Sequence, residues 1–216
     1  MTAEGDNPDL YLEPTFAIDS DSEVVKEKAT LLTEKYTSQK DKAKALFYFA
    51  RDEIKYIPYP PFSIEGYRAS KTLQRREGYC VQKAVLLTSL ARAVGIPSRL
   101  GFADIRNHLA PKDLVEVMGT NLFVYHGYSE LWLNNRWVKA TPAFDIGMCN
   151  KFDLKPVEFD GLTDAVFHER NKNGELHIEY VKYHGAYVDL PFKEIMRAFI
   201  DEYPIASKKV KQLEQS

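Results

Sequence analysis

Glu77-Gly78-Tyr79-Cys80-Val81-Gln82-Lys83-Ala84-Val85-Leu86-Leu87, closed downstream by Gly95-Ile96-Pro97, is the stretch from which the rest of the chain can be read. Apolar or small residues at Val81, Ala84, Val85, Thr88, Ala91 and Val94 recur at helical spacing, and Gly95 with Pro97 supplies a stop. The pattern predicts a long amphipathic helix with Cys80 in its first turn. A thiol there meets the positive end of the helix dipole and unpaired backbone N–H groups, and both favour thiolate, the nucleophilic form. Gly78, two residues earlier, allows a tight turn and a narrow approach to the sulfur. A cysteine at a helix start is also a common buried core residue, so this stretch alone leaves both readings open.

Toward the N-terminus, residues 1–19 carry Pro8 and Pro14 among polar residues and predict an irregular or strand-like lead-in. Two helices follow. The first, over 22–35, starts among Asp19, Ser20, Asp21 and Ser22, all good caps. The second, over 39–54, begins at a Ser38-Gln39-Lys40-Asp41 capping pattern and turns Ala43, Leu46, Phe47, Ala50 and Ile54 toward the core. Tyr56-Ile57-Pro58-Tyr59-Pro60-Pro61-Phe62 cannot hold regular structure and reads as a packed surface loop or the wall of a cleft.

Toward the C-terminus the helical period gives way to alternation. Strands are predicted over 99–105, 123–133 and 137–141, the last two joined through Asn134-Asn135, residues that tolerate positive φ. Another hairpin is predicted at Asn171-Lys172-Asn173-Gly174, with a strand over 176–181; residues 191–216 read as a helix and then a charged tail. A helical cluster followed by an antiparallel sheet makes the fold class α+β.

Composition narrows the function classes. The 216 residues suit one domain with at most a small appendage, and 44% hydrophobic with 28% charged residues is ordinary for a globular protein. A net charge of −2 offers no footprint for nucleic acid or an anionic membrane. The polar, acidic start and the lack of a long apolar run lead to the expectation of a cytoplasmic protein with no membrane partner. Cys80 and Cys149 make no disulfide framework.

A cysteine nucleophile needs a base, a group that orients the base, and donors for the oxyanion. Of His108, His126, His168, His177 and His184, His126 stands out, in a strand beside Gly127, which leaves room for another chain or substrate; His108 is its competitor. The other three read as solvated surface imidazoles. The Gly78-x-Cys80 helix start, Arg92-Ala93-Val94-Gly95-Ile96-Pro97-Ser98-Arg99, and the histidine strand turning into Trp137-Val138 together resemble the transglutaminase-like superfamily, over roughly residues 40–190. That resemblance implies a papain-related fold with a Cys-bearing helix on an antiparallel sheet. It also implies Cys80 as nucleophile, His126 as general base and a peptide or protein substrate. The domain layout expected is a lead-in and helix over 1–38, a catalytic domain over 39–205 and a polar tail over 206–216.

One position departs from the family pattern. Its triad acid usually comes from an Asp-Pro pair after the tryptophan strand, where this chain has Thr141-Pro142. A two-residue turn at Asn134-Asn135 pairs Leu133 with Arg136, Glu130 with Lys139 and His126 with Ala143, which sets Thr141 and Asp145 diagonal to His126. Asp145 is therefore the expected orienting acid, with a turn-forming role as its alternative. Bacterial members of the superfamily resemble this chain in their Thr-Pro-Ala-Phe ending. The backbone N–H of Cys80 is the natural first oxyanion donor, with Tyr67, Gln74 or Tyr79 as the second.

The expected function is cysteine-dependent acyl transfer through a thioester, by amide hydrolysis or transamidation; the alternative is a binding module that has lost turnover. No cofactor or metal is expected. The acidic residues Glu158, Asp160, Asp164 and Glu169 lack a calcium-loop pattern, and Asp160-Gly161 suits a turn. Cys149 reads as a bystander, Trp132 and Trp137 as a cross-strand pair, and Glu130 with Lys139 as an exposed ion pair.

Overall fold

The computed structural model describes residues 7–203. In chain order its elements are α1 (Glu23–Thr33), α2 (Gln39–Tyr48), β1 (Lys55–Tyr56), α3 (Ala69–Arg75), β2 (Glu77–Gly78), α4 (Cys80–Ala93), β3 (Ser98–Asn107), α5 (Lys112–Met118), β4 (Leu122–Leu133), β5 (Arg136–Ala140), α6 (Ile146–Lys151), β6 (Ile178–Tyr187) and α7 (Phe192–Glu202). The predicted tail over 206–216 lies outside the described residues. Among those residues, no helix is long and apolar enough to cross a membrane.

Helix α4 starts at Cys80, but it is not the amphipathic helix that the spacing suggested. Every residue from Val81 to Arg92 is buried. Helices α1, α2 and α3 pack on one side and strands β3 and β4 on the other, so the helix has no solvent face. Most of its polar residues find work inside, Ser89 with its unpartnered hydroxyl being the exception. The Thr88 hydroxyl donates to Ser129 Oγ at 3.0 Å, which in turn donates to Ala84 O at 2.9 Å and ties α4 to β4. Arg92 donates to three carbonyls, of Glu13, Ser98 and Val188.

Lys83 explains the second helix. The predicted helix over 39–54 is regular only to Tyr48 and then widens into a π-type turn over Phe49–Glu53. The widened end leaves carbonyls without helical partners. Lys83 Nζ, fully buried, donates to Arg51 O at 2.8 Å and Ile54 O at 2.6 Å and closes them.

The sheet runs β5-β4-β3-β6, antiparallel throughout. The Asn134-Asn135 hairpin forms as read, with both residues at positive φ and Leu133↔Arg136, Glu130↔Lys139 and Trp132↔Trp137 in register. The indole rings meet at 5.2 Å. Glu130, however, is buried and makes no exposed pair with Lys139. Its carboxylate takes the Arg99 guanidinium at 2.7 Å from the neighbouring strand β3, while Lys139 lies over the Tyr183 ring. The expected hairpin at 171–174 closes only an isolated bridge, Arg170↔Leu176, because strand β6 starts later and pairs with β3.

Candidate active site

Two elements build the site, the N-terminus of α4 and the middle of β4. Their approach is as close as backbones allow. A methyl group at Gly127 would stand 2.9 Å from Val81 Cα, so the room that Gly127 leaves is filled by the first turn of α4. This close approach brings the Gly127 backbone near Cys80, whose thiolate the Gly127, Val81 and Cys80 N–H groups favour. His126, the residue before Gly127, is buried and shares a cavity wall with Cys80. Its ring packs on Phe167, with centroids 4.8 Å apart. The other histidines sit elsewhere: His108 bonds Glu179 and His184 bonds Asp104, while His177 is buried rather than solvated.

Gly78 serves packing rather than a tight turn. It lies in the short parallel pair β1–β2 opposite Tyr56, and a methyl group there would press on Gln82 Cβ at 3.0 Å. Gln82 needs that place. Its Oε1 accepts the Tyr79 N–H at 3.2 Å and its Nε2 donates to Gly66 O at 2.8 Å, which fixes the entry to α4.

Burial governs the protonation of the pair. It pushes the Cys80 thiol up to about 11, against the opposing pull of the three N–H groups and the Lys83 charge. It pushes the His126 imidazole down to about 3, with no carboxylate to resist. At neutral pH the resting pair is therefore thiol and neutral imidazole, and the helix terminus does not by itself produce the thiolate that its position suggested.

Asp145 corrects the expected triad. Its Oδ2 accepts the Tyr56 N–H at 2.9 Å and its Oδ1 accepts the Met148 N–H at 2.8 Å as the N-cap of α6. No bond joins it to His126. The register that placed it there does not continue: β5 ends at Ala140, and the Thr141 N–H turns to Ala165 O at 2.9 Å. The turn-forming alternative is the one realised. His126 Nε2 and Thr141 Oγ1 are each buried without a hydrogen-bond partner among the described residues. The Tyr180 hydroxyl lies near Thr141 but outside bonding geometry, and it accepts the Phe167 N–H at 3.2 Å.

Of the oxyanion candidates, Gln74 is exposed on α3 and drops out. Tyr67 and Tyr79 are buried beside Cys80, their hydroxyls 2.9 Å apart and sharing one hydrogen bond. Two hydroxyls and one bond leave one proton uncommitted. Among the described residues no group of three or more His, Cys, Asp or Glu side chains could hold a metal ion, and Asp160 is spent on the N–H groups of Leu162 and Thr163.

Residues 26–142 match the model of the transglutaminase-like superfamily, more than half of the chain, and the protein belongs to that superfamily. The match includes Cys80, His126 and Thr141-Pro142 and stops before Asp145. In structure the chain is similar to a candidate cysteine protease from Cytophaga hutchinsonii, at 17% identity and a TM-score of 0.51, covering 87% of this chain and 57% of that one. It is also matched by the periplasmic domain of TgpA from Pseudomonas aeruginosa, at 21% identity and a TM-score of 0.44, covering 64% of this chain and 48% of that one. The chain thus spans about half the length of these relatives. No curated protein matches the sequence. The superfamily and the first of these neighbours share the α+β fold found here and belong with cysteine-dependent enzymes as a class.

Proposed function

We propose that the protein is a cysteine-dependent acyl-transfer enzyme, acting on an amide or related carbonyl, with Cys80 as nucleophile and His126 as general base. The observation that carries this reading is the seating of Gly127 against Val81, which brings the Cys80 thiol and the adjacent His126 imidazole to the same cavity wall. As Sγ attacks, its proton passes to His126. The Sγ–C bond forms, the tetrahedral oxyanion is met by the Cys80 N–H and the uncommitted Tyr67–Tyr79 hydroxyl, and His126 returns the proton to the leaving group. Water then cleaves the thioester. Hydrolysis is the preferred outcome over transfer to an amine.

Because the resting pair is neutral, the thiol proton has to move to His126 in the course of the attack. Among the described residues no carboxylate orients the imidazole; packing against Phe167 and the nearby Tyr180 ring does that orienting.

A second reading, a peptide-binding module without turnover, is favoured by the partnerless Nε2 and the high thiol pKa. Incubation of the Cys149→Ser protein with an activated acetyl ester, followed by intact mass, separates the two. An acyl adduct on Cys80 that turns over, and that slows at least ~100-fold in His126→Ala, supports the enzyme. Absence of any adduct leaves the binding module.

A further inference from the structure

A cavity of about 810 Å³ opens onto Cys80 and His126. That size is enough to enclose a whole small molecule, since such pockets run to roughly 300–1,000 Å³. Its walls are almost entirely carbon, drawn from the proline-rich loop, from α5, α6 and α7, and from β4. All three methionines of the described residues, Met118, Met148 and Met196, converge on it from three different helices. Methionine is the side chain that re-packs most readily around a flexible guest. The rim is apolar as well: Tyr59, Phe62 and Val117 line the cavity yet are each more than 60% exposed, and Phe152 and Ile200 extend the same surface. Such a patch is costly to leave open in water unless a ligand covers it.

Several of the polar groups on the walls are already committed, while Lys55, Lys151, Tyr56 and Tyr59 line it without a side-chain hydrogen bond among the described residues. Asp52 holds Arg51 and the Ile146 N–H, and Asp145 holds Tyr56 and Met148. Asn107 Oδ1 accepts the Leu109 N–H, and the Tyr203 hydroxyl lies between the Val124 N–H and Leu122 O of β4. A peptide threaded here would bury more N–H and C=O groups than these mostly apolar walls can receive, at a penalty for each left over. A hydrocarbon chain carries no such groups.

Resting on the acyl-transfer reading above, we infer that the group transferred to Cys80 is a medium- to long-chain aliphatic acyl group, its chain lying in the methionine-lined cavity and its carbonyl at the sulfur. The leaving group, whether amine, alcohol or thiol, lies outside the cavity.

The test uses p-nitrophenyl esters from acetyl to dodecanoyl, each below its micelle concentration, with the full chain carrying Cys149→Ser and with Cys80→Ala as blank. In each reaction the Sγ–acyl bond forms as the ester C–O bond breaks. p-Nitrophenolate leaves with the electron pair, the thiol proton passes to His126, and water releases the fatty acid. Complete burial of a methylene is worth up to about fourfold, so kcat/KM for acylation rises at least ~100-fold from butyryl to decanoyl. Val117→Glu, a change at an exposed site, lowers the decanoyl-to-butyryl ratio by ~10-fold or more. A flat or falling chain-length series, with acetyl and butyryl esters still acylating Cys80, overturns the inference and leaves the enzyme reading standing. So does faster acylation by an ester of a blocked apolar dipeptide than by decanoyl. Failure of every ester to acylate Cys80 removes the enzyme reading, and the inference falls with it.

Discussion

Gly127→Ala probes the one close approach on which the site depends. The added methyl carbon would stand 2.9 Å from Val81 Cα, 3.0 Å from Val81 Cγ2 and 3.3 Å from Val81 Cβ. Carbon atoms prefer ~3.5–4.0 Å, so α4 and β4 must part by roughly 0.5–1 Å. The nearest atom is backbone, and no change of rotamer relieves it. Overpacking of this kind costs ~1–3 kcal/mol; in a domain of this size that is roughly 2–12 °C in Tm. Activity should suffer more than stability, because the same displacement draws the Gly127 N–H away from Cys80 and moves His126 with it. A misplacement near 1 Å is worth ~100-fold in rate. Thermal melts and Cys80 acylation by an activated ester, measured well below both melting temperatures, read the two effects separately. Val81→Ala in the same background removes the crowding by Cγ2 but leaves the backbone carbon in the way, so the double variant recovers only part of the loss. If Gly127→Ala matches wild type in both melting temperature and acylation rate, the helix and strand do not meet as described and the site assignment fails.

Acid stability should report the buried imidazoles. His126 is held near about 3 and His177 near about 4, both below the ordinary 6.5. A depressed pKa means that their contribution is intact above pH 6.5 and is lost as pH falls toward 3. Urea midpoints measured from pH 7 to 5 should therefore decline less steeply in His126→Gln, by up to ~1.4 kcal/mol per pH unit; an unchanged slope rejects the burial. Lys83 predicts the opposite limb. Its pKa is depressed by burial from 10.5 to about 7, so stability should rise between pH 7 and 9 before Cys80 and Cys149, both raised to about 11, begin to oppose it; Lys83→Met should flatten that rise. Thr141→Asp should raise the His126 pKa and lower that of the thiol, seen as a shift of the Cys80 alkylation profile to lower pH, and an unmoved profile means that position 141 does not reach the imidazole. Asp145→Asn keeps a capping side chain and should slow acylation less than ~10-fold, against the ~10⁴ expected of a triad acid; a loss of that larger size restores Asp145 to the triad.

Local sequence signals carry much of this fold. The Asn134-Asn135 turn sets a register that continues through Ala140, because adjacent positive-φ residues admit few alternatives. It stops there, because Thr141 finds its backbone partner in Ala165, a residue too distant in sequence for any local pattern to announce. For the same reason Asp145 reads wrongly as the orienting acid: a turn residue and a triad acid look alike until the partners are seen. That Cys80 and His126 meet at one cavity is legible from their neighbours Gly78 and Gly127, although each glycine admits a packed side chain or helix rather than a substrate. The neutral state of the pair is hidden, since the helix-terminus argument counts N–H groups and cannot weigh the burial that three further helices impose. The methionine-lined cavity is invisible too, because its walls come from many segments spread between Asp52 and Tyr203.

The high pKa of the half-buried thiol has a consequence for the lifetime of the protein. Oxidation to sulfenic acid and indiscriminate alkylation both act on thiolate, and in the resting site almost none is present. Unlike a cysteine held in a standing ion pair, which must be shielded by reductants, this thiol stays protonated at rest. The protein should therefore retain a full titre of free Cys80 through long exposure to peroxide at neutral pH.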